Sequence, residues 1–305
     1  MKVAETNFSK IKKNYLNFLK KQEILGEPFH DKLGQLKNYY IPICDSINKE
    51  YKMKKKTFVI GLSGGQGSGK TTIAAIIKII LRSKYNLNII NFSIDDFYKK
   101  RKQRKKMSLK IHKLFSTRGV PGTHDIHLLT KCFINLMKKN FRPFSMPKFD
   151  KSNDDRCSKA KWVKIKRKPD IVIFEGWCVG AKNQSNLQLK KPINILEKKY
   201  DKDLIWRKKV NFELKNNYRK VFRLIDELIF LKVPHFNYVY KWRLLQEDKL
   251  KASSKGKKIM SKKQVKDFTM FYERITRQMI KDLKYDADVV INLDKKHRLN
   301  KIKFY

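Results

Sequence analysis

From residue 57 onward, short apolar runs alternate with longer stretches in which apolar residues recur every three or four positions. The runs are TFVIGL (57–62), NIINFSI (88–94), DIVIFEG (170–176), ELIFLKVP (227–234) and DVVINLD (288–294). Each is short and rich in β-branched or aromatic residues, which predicts strands covered on both faces. Helical periodicity fills the gaps at about 70–83, 125–139, 204–223, 237–251 and 262–283. This alternation predicts an α/β fold with a five-stranded, mainly parallel sheet and helices on both faces, and a ligand beyond the carboxyl ends of the strands. Residues 1–55 follow another pattern. Phe8, Ile11, Tyr15, Leu16, Phe18 and Leu19 lie at helical spacing, and a second periodic stretch runs from Leu36 to Tyr51. They predict a helical prefix packed on a domain spanning 56–305, and they carry no legible chemistry.

Composition narrows the class. The 305 residues, 41% hydrophobic and 12% aromatic, suffice for a full core and exclude a disordered chain. A net charge of +45 raises the question of a polyanionic partner. The cations are mostly Lys, scattered from Lys2 to Lys303 with no basic arm or basic helix, in a chain also heavy in Asn, Ile, Phe and Tyr. This fits A/T-rich coding, so the charge reads as background and specific nucleic-acid binding is not expected. Cys44, Cys132, Cys157 and Cys178 form neither a CxxC pair nor a zinc pattern and read as reduced thiols. No signal-peptide core opens the chain and no run reaches the roughly 18 apolar residues of a membrane span. The expectation is a cytoplasmic protein without a membrane partner, its oligomeric state not legible. The run Lys249–Lys263 reads either as a solvated linker or as a mobile cationic flap.

The first strand leads into GGQGSGKT, residues 64–71, a phosphate-binding P-loop pattern. Its glycines let successive backbone N–H groups turn toward phosphate oxygens, and the following helix adds its positive end. The expected nucleotide ligands are Gly64, Gly65, Gln66, Gly67, Ser68, Gly69, Lys70, Thr71 and Thr72. Lys70 would reach the β- and γ-phosphates of ATP, and the Thr71 hydroxyl would ligate Mg²⁺. No NKxD-type segment follows, which argues against a guanine-nucleotide switch.

The second strand ends in SIDDFY, placing Asp95 and Asp96 at the carboxyl edge, where a carboxylate can orient an acceptor hydroxyl, take its proton and hold Mg²⁺ through water. A helix cap is the plainer role for such an Asp. The third strand ends in FEGW, which makes Glu175 a candidate metal-orienting carboxylate, or else a core Glu with a paired neighbour.

These residues resemble the uridine kinase, phosphoribulokinase and pantothenate kinase group of P-loop kinases, and within it the D-glycerate 3-kinase family. The resemblance is carried in order by GGQGSGKT, SIDDFY, RGVPGTHD, MPKFDKSNDDR, IFEGW, WRKKVN, YKWRLLQE and FYERITR, over roughly residues 57–295. It implies Mg²⁺-dependent transfer of the γ-phosphoryl group of ATP to a hydroxyl of a small acid, D-glycerate giving 3-phosphoglycerate. By position, Asp95, two before Phe97, matches the catalytic base, and Arg243 matches a basic residue on a lid at about 236–263.

A small anionic hydroxy acid needs a few cations and hydrogen-bonding groups, with no broad stacking surface. Arg118, His124, Asp125, Lys148 and Arg156 supply these between the second and third strands, and Thr123, Asp96, Tyr98 and Asp150 complete the expected acceptor wall. Asp125 could equally cap the helix that follows. A nucleoside, sugar or pantothenate-like acceptor on the same fold is the alternative, and a basic nucleic-acid-binding NTPase a more remote one.

Overall fold

All five apolar runs form strands in the computed structural model, which describes residues 2–23, 28–253 and 260–305, with side chains over 7–23, 28–248 and 260–305. They are β1 (Phe58–Gly64), β2 (Ile89–Ser93), β3 (Ile171–Gly176), β4 (Glu227–Lys232) and β5 (Val289–Leu293), mutually parallel. A sixth strand, β6 (Leu299–Phe304), pairs antiparallel with β5, so the sheet has six strands in the order β6-β5-β4-β1-β3-β2 and corrects the expected five. No apolar run marks β6, in which only Leu299 is buried and Lys301 and Lys303 are exposed.

Strand alternation divides the core into two layers. Val59, Phe92, Val172, Phe174, Phe230 and Val290 face one side. There they meet α5 (Ile126–Met137), α6 (Ile205–Glu213) and α8 (Lys262–Asp282) through Phe133, Val210 and Ile275. Ile60, Leu62, Ile171, Ile173, Ile229, Leu231 and Ile291 face the other, under α1 (Lys2–Glu23), α2 (Ile41–Lys54) and α3 (Lys70–Tyr85). The period of two in the strands sends successive side chains to opposite layers.

The N-terminal segment completes the second layer. Ile11, Tyr15 and Leu19, at i, i+4 and i+8, are buried with Ile43 and Ile47 against α3. Gln35 donates through Nε2 to the Leu299 carbonyl and accepts from the Leu299 N–H, both at 2.9 Å. Tyr39 donates to the Asn300 carbonyl at 2.7 Å, so the segment is stitched to β6.

The charge is not wholly scattered. α4 (Arg101–Lys110) carries Arg101, Lys102, Arg104, Lys105, Lys106 and Lys110 without an acid, a basic helix where none was expected. α7 (Phe236–Ser253) lies over the P-loop, and the Lys249–Lys263 run falls mostly outside the described side chains. The four cysteines are unpaired. Among the described residues no helix is long and apolar enough to cross a membrane.

Candidate active site

β1 ends at Gly64, and the chain turns through Gly67 and Gly69, at φ 75° and 81°, into α3 at Lys70. Both angles lie in the left-handed region open to glycine. At Gly67 space imposes the same choice, since a Cβ there would sit 2.8 Å from Cβ of Trp242 on α7. Lys70 Nζ donates to the Gly64 and Gly65 carbonyls, both at 2.9 Å. Burial lowers the Lys70 pKa, and Glu175 and Asp95 partly restore it.

The parallel register sets Glu175 opposite Leu62 of β1 and Ser93 of β2, at the carboxyl edge of the sheet. The Thr71 hydroxyl donates to Glu175 Oε1 at 3.1 Å. Burial raises the Glu175 carboxyl above the usual range, against the pull of Lys70. Among the described residues no three His, Cys, Asp or Glu side chains form a metal-binding group. The oxygen pair Thr71 and Glu175 fits Mg²⁺, which commonly takes its remaining ligands from phosphate and water.

After β2 the two neighbouring aspartates part. Ser93 Oγ accepts from the Asp95 N–H at 3.2 Å, closing a 3-10 turn over Ile94–Phe97. Asp96 turns back into this cap, accepting from the Ser93 and Phe149 N–H groups at 3.4 and 3.5 Å and pairing with Lys148 at 3.1 Å. Asp95 faces the cleft, accepting from the Tyr98 hydroxyl at 3.0 Å and from Lys151 Nζ at 2.7 Å. Burial works to raise the Asp95 carboxyl, but the Lys151 ammonium more than offsets it and holds the pKa at about 2.

The RGVPGTHD loop folds mostly onto itself. Thr123 Oγ accepts from the Gly119 N–H at 3.1 Å and donates to the Val120 carbonyl at 2.7 Å. His124 is fully buried, stacked on Tyr98 with ring centroids 4.4 Å apart, and its Nδ1 lies 2.5 Å from the Tyr218 hydroxyl. That hydroxyl also accepts from the Gly122 N–H at 3.0 Å. Burial depresses the His124 pKa to about 3, so the ring is neutral. Asp125 caps α5 through the Leu128 N–H at 3.1 Å and pairs with Arg156, which also donates to the Tyr98 carbonyl at 2.9 Å. Asp150 closes its own turn on the Ser152 and Asn153 N–H groups.

The resulting cleft has a volume of about 520 Å³. Of the expected residues, Gln66, Gly67, Lys70, Thr71, Asp95, Tyr98, Arg118, Glu175 and Arg243 line it. Asp96, Thr123, His124, Asp125, Lys148, Asp150 and Arg156 do not; they hold its walls from behind. Arg118 pairs with Asp154, and Arg243 on α7 pairs with Glu247. Ser93, Lys151, Gly176, Trp177, Gln246, Phe268 and Tyr272 line the cleft without having been expected. Lys151 was within reach of sequence reasoning, as the second cation of the KFDKS stretch, and so was Tyr272, in FYERITR; Phe268, one turn earlier on α8, lies outside the quoted stretches.

A second cavity of about 220 Å³ lies across Gly67 from the cleft. Ser68, Gly69 and Thr72 form one side and Tyr15, Phe29 and Tyr40 of the N-terminal segment another. Trp242 and His297 close it with ring centroids 3.7 Å apart, and His297 Nε2 donates to the Gly67 carbonyl at 2.7 Å.

A family model described as Phosphoribulokinase / Uridine kinase family matches residues 59–240. "Uncharacterized kinase mug58" of Schizosaccharomyces pombe is 34% identical over 239 residues, covering 75% of this chain and 83% of that protein. "D-glycerate 3-kinase, chloroplastic" of Arabidopsis thaliana is 28% identical over 256 residues, covering 78% and 53% respectively. The solved D-glycerate 3-kinase from Cryptococcus neoformans var. grubii has the same fold, with a TM-score of 0.74 at 24% identity over 87% of this chain and 99% of that one.

Proposed function

The chain belongs to the phosphoribulokinase / uridine kinase family, ATP-using phosphotransferases with an alcohol acceptor, and from that premise we propose that it phosphorylates a small anionic hydroxy acid, D-glycerate to 3-phosphoglycerate. The observation that carries this reading is the lining of the cleft. Lys70, Arg118, Lys151 and Arg243 face Asp95 and Glu175, an excess of positive charge suited to an anionic acceptor beside a triphosphate. Tyr98, Trp177 and Tyr272 are each no more than 3% exposed, and they pack on His124 or on one another. They offer no free face for stacking a nucleoside base, and half-buried Phe268 packs on Tyr272 with Arg243 over its ring, which makes the nucleoside reading the weaker one.

The phosphates would lie along Gly64–Thr71, with the base and ribose continuing past Gly67 into the second cavity. Lys70 would exchange the Gly64 and Gly65 carbonyls for phosphate oxygens. Thr71 and Glu175 would hold Mg²⁺, with Asp95 reaching it through water, and the bound ion would supply charge neutralisation at the phosphates. The acceptor oxygen attacks the γ-phosphorus as the bond to the β-bridging oxygen breaks, and the hydroxyl proton passes to Asp95. Paired with Lys151, the Asp95 carboxyl has a pKa of about 2 and is a weak base; facing the acceptor, it orients the hydroxyl and takes its proton. Lys70 and Arg243 carry more of the barrier reduction through charge.

A panel of D-glycerate, uridine, pantothenate, D-ribose and nucleic acid, with ATP and Mg²⁺ and read by acceptor-dependent ADP release, tests the proposal. Release with D-glycerate is expected. Release with uridine or pantothenate and none with D-glycerate would overturn the acceptor, and release stimulated by DNA or RNA alone would overturn the small-molecule reading.

A further inference from the structure

We infer that Lys151 is the group that reads the carboxylate of the acceptor, and that it does so by leaving Asp95. This rests on the acid acceptor proposed above.

The cations of the cleft differ in what already holds them. Arg118 is paired with Asp154, Arg243 with Glu247, and Lys70 lies on two carbonyls of its own loop. Lys148 and Arg156, paired with Asp96 and Asp125, stand outside the cleft. Lys151 is bound instead to the carboxylate that the reaction needs free, with Nζ 2.7 Å from Asp95 Oδ2.

In this resting arrangement both Asp95 oxygens are engaged, Oδ1 by the Tyr98 hydroxyl and Oδ2 by Lys151. An incoming hydroxyl must therefore compete with an ammonium for Oδ2. An acceptor that brings a carboxylate offers Lys151 an equivalent partner, and the transfer of the ammonium opens Oδ2 to the hydroxyl. An acceptor without one leaves the pair closed. The exchange trades one carboxylate partner for another, and the Lys151 side chain, 62% exposed, stands where an incoming carboxylate can meet it.

The backbone beneath Lys151 is held while its side chain is exposed. Phe149 and Asp150 pair with Arg156 and Asp155 in a short hairpin. At its turn Asp154 adopts φ 53° and is gripped by Arg118 and by the fully buried Arg104, whose guanidinium also donates to the Lys99 and Ser116 carbonyls. Lys151 thus has a fixed base and a solvent-accessible tip, as a cation that changes partners requires.

Steady-state kinetics with D-glycerate and with glycerol, which replaces the carboxylate by a hydroxymethyl group, test this in wild type, Lys151→Met and Lys151→Arg. Lys151→Met should lose about 10- to 100-fold in kcat/KM for D-glycerate, the loss of one charge-assisted hydrogen bond, carried mainly by KM. The KM for ATP should stay within about twofold, glycerol turnover should hold or rise, and Lys151→Arg should recover part of the D-glycerate KM. An unchanged D-glycerate KM in Lys151→Met, with wild type active, overturns the role of Lys151 alone. A wild type that does not phosphorylate D-glycerate overturns the acceptor, and this inference with it.

Discussion

The two walls of the cleft are built in different ways. The proposed phosphate wall comes from one uninterrupted run, Gly64 to Thr71, of which Gln66, Gly67, Lys70 and Thr71 line the cleft, and glycine angles and the following helix set its shape locally. The acceptor wall draws Asp95 and Tyr98 from behind β2, Arg118 from the RGVPGTHD loop, Lys151 from a hairpin, Trp177 from behind β3 and Tyr272 from α8. A wall made of distant pieces needs internal scaffolding. Thr123, His124, Asp125, Arg156, Asp96 and Lys148 spend their hydrogen bonds on it and leave few side chains for the ligand. The lesson is that polar residues in a discontinuous wall serve mostly to hold one another.

The largest effect should fall on the phosphate wall. Lys70→Ala is expected to lower turnover about 1000-fold or more in an ADP-release assay, because it removes the charge aligned on the transferring group. Asp95→Asn should cost about 100-fold in turnover with the KM for ATP within about twofold. If Asp95→Asn matches Lys70→Ala, or turns over normally, the division of labour between the walls is wrong.

His124 tests whether the acceptor wall is as dry as its packing shows. Its folded pKa of about 3 lies below the reference value of 6.5, so between those values the unfolded chain binds the extra proton. The stability that comes from keeping the ring neutral is therefore complete above about pH 6.5 and lost as the pH falls toward 3. Relative to His124→Gln, wild type should lose about 2 kcal/mol between pH 7 and pH 5 in denaturant unfolding. Parallel curves would mean that the ring is charged or hydrated in the fold. The smallest effect is expected at Gly67→Ala, about 1 kcal/mol of stability, from the left-handed angle and the Trp242 contact, with a raised KM for ATP. An unchanged melting temperature would show that α7 gives way there.

Residue order reveals the phosphate wall because backbone conformation depends on near neighbours. It reveals the five parallel strands for a related reason: burial that is complete in β1 and β3 and heavy in β4 and β5 demands apolar runs, and half-buried β2 keeps one around Asn91. β6 is missed because little of it is buried: Leu299 alone is buried, which leaves room for Lys301 and Lys303. The N-terminal segment shows a helical period but not its partners, α3 and β6, since a period names a buried face without naming what covers it.

By itself the sequence determined the P-loop, the positions of the parallel strands along the chain and the placing of acidic residues at their carboxyl edge, all matters of local conformation and periodic burial. Only the tertiary structure decided that His124 and Asp125 support the wall while Arg118 reaches the cleft, and that Lys151, beside the expected Asp150, meets Asp95. The direction of a side chain depends on the partners that distant segments bring to it, and those partners meet when the layers close.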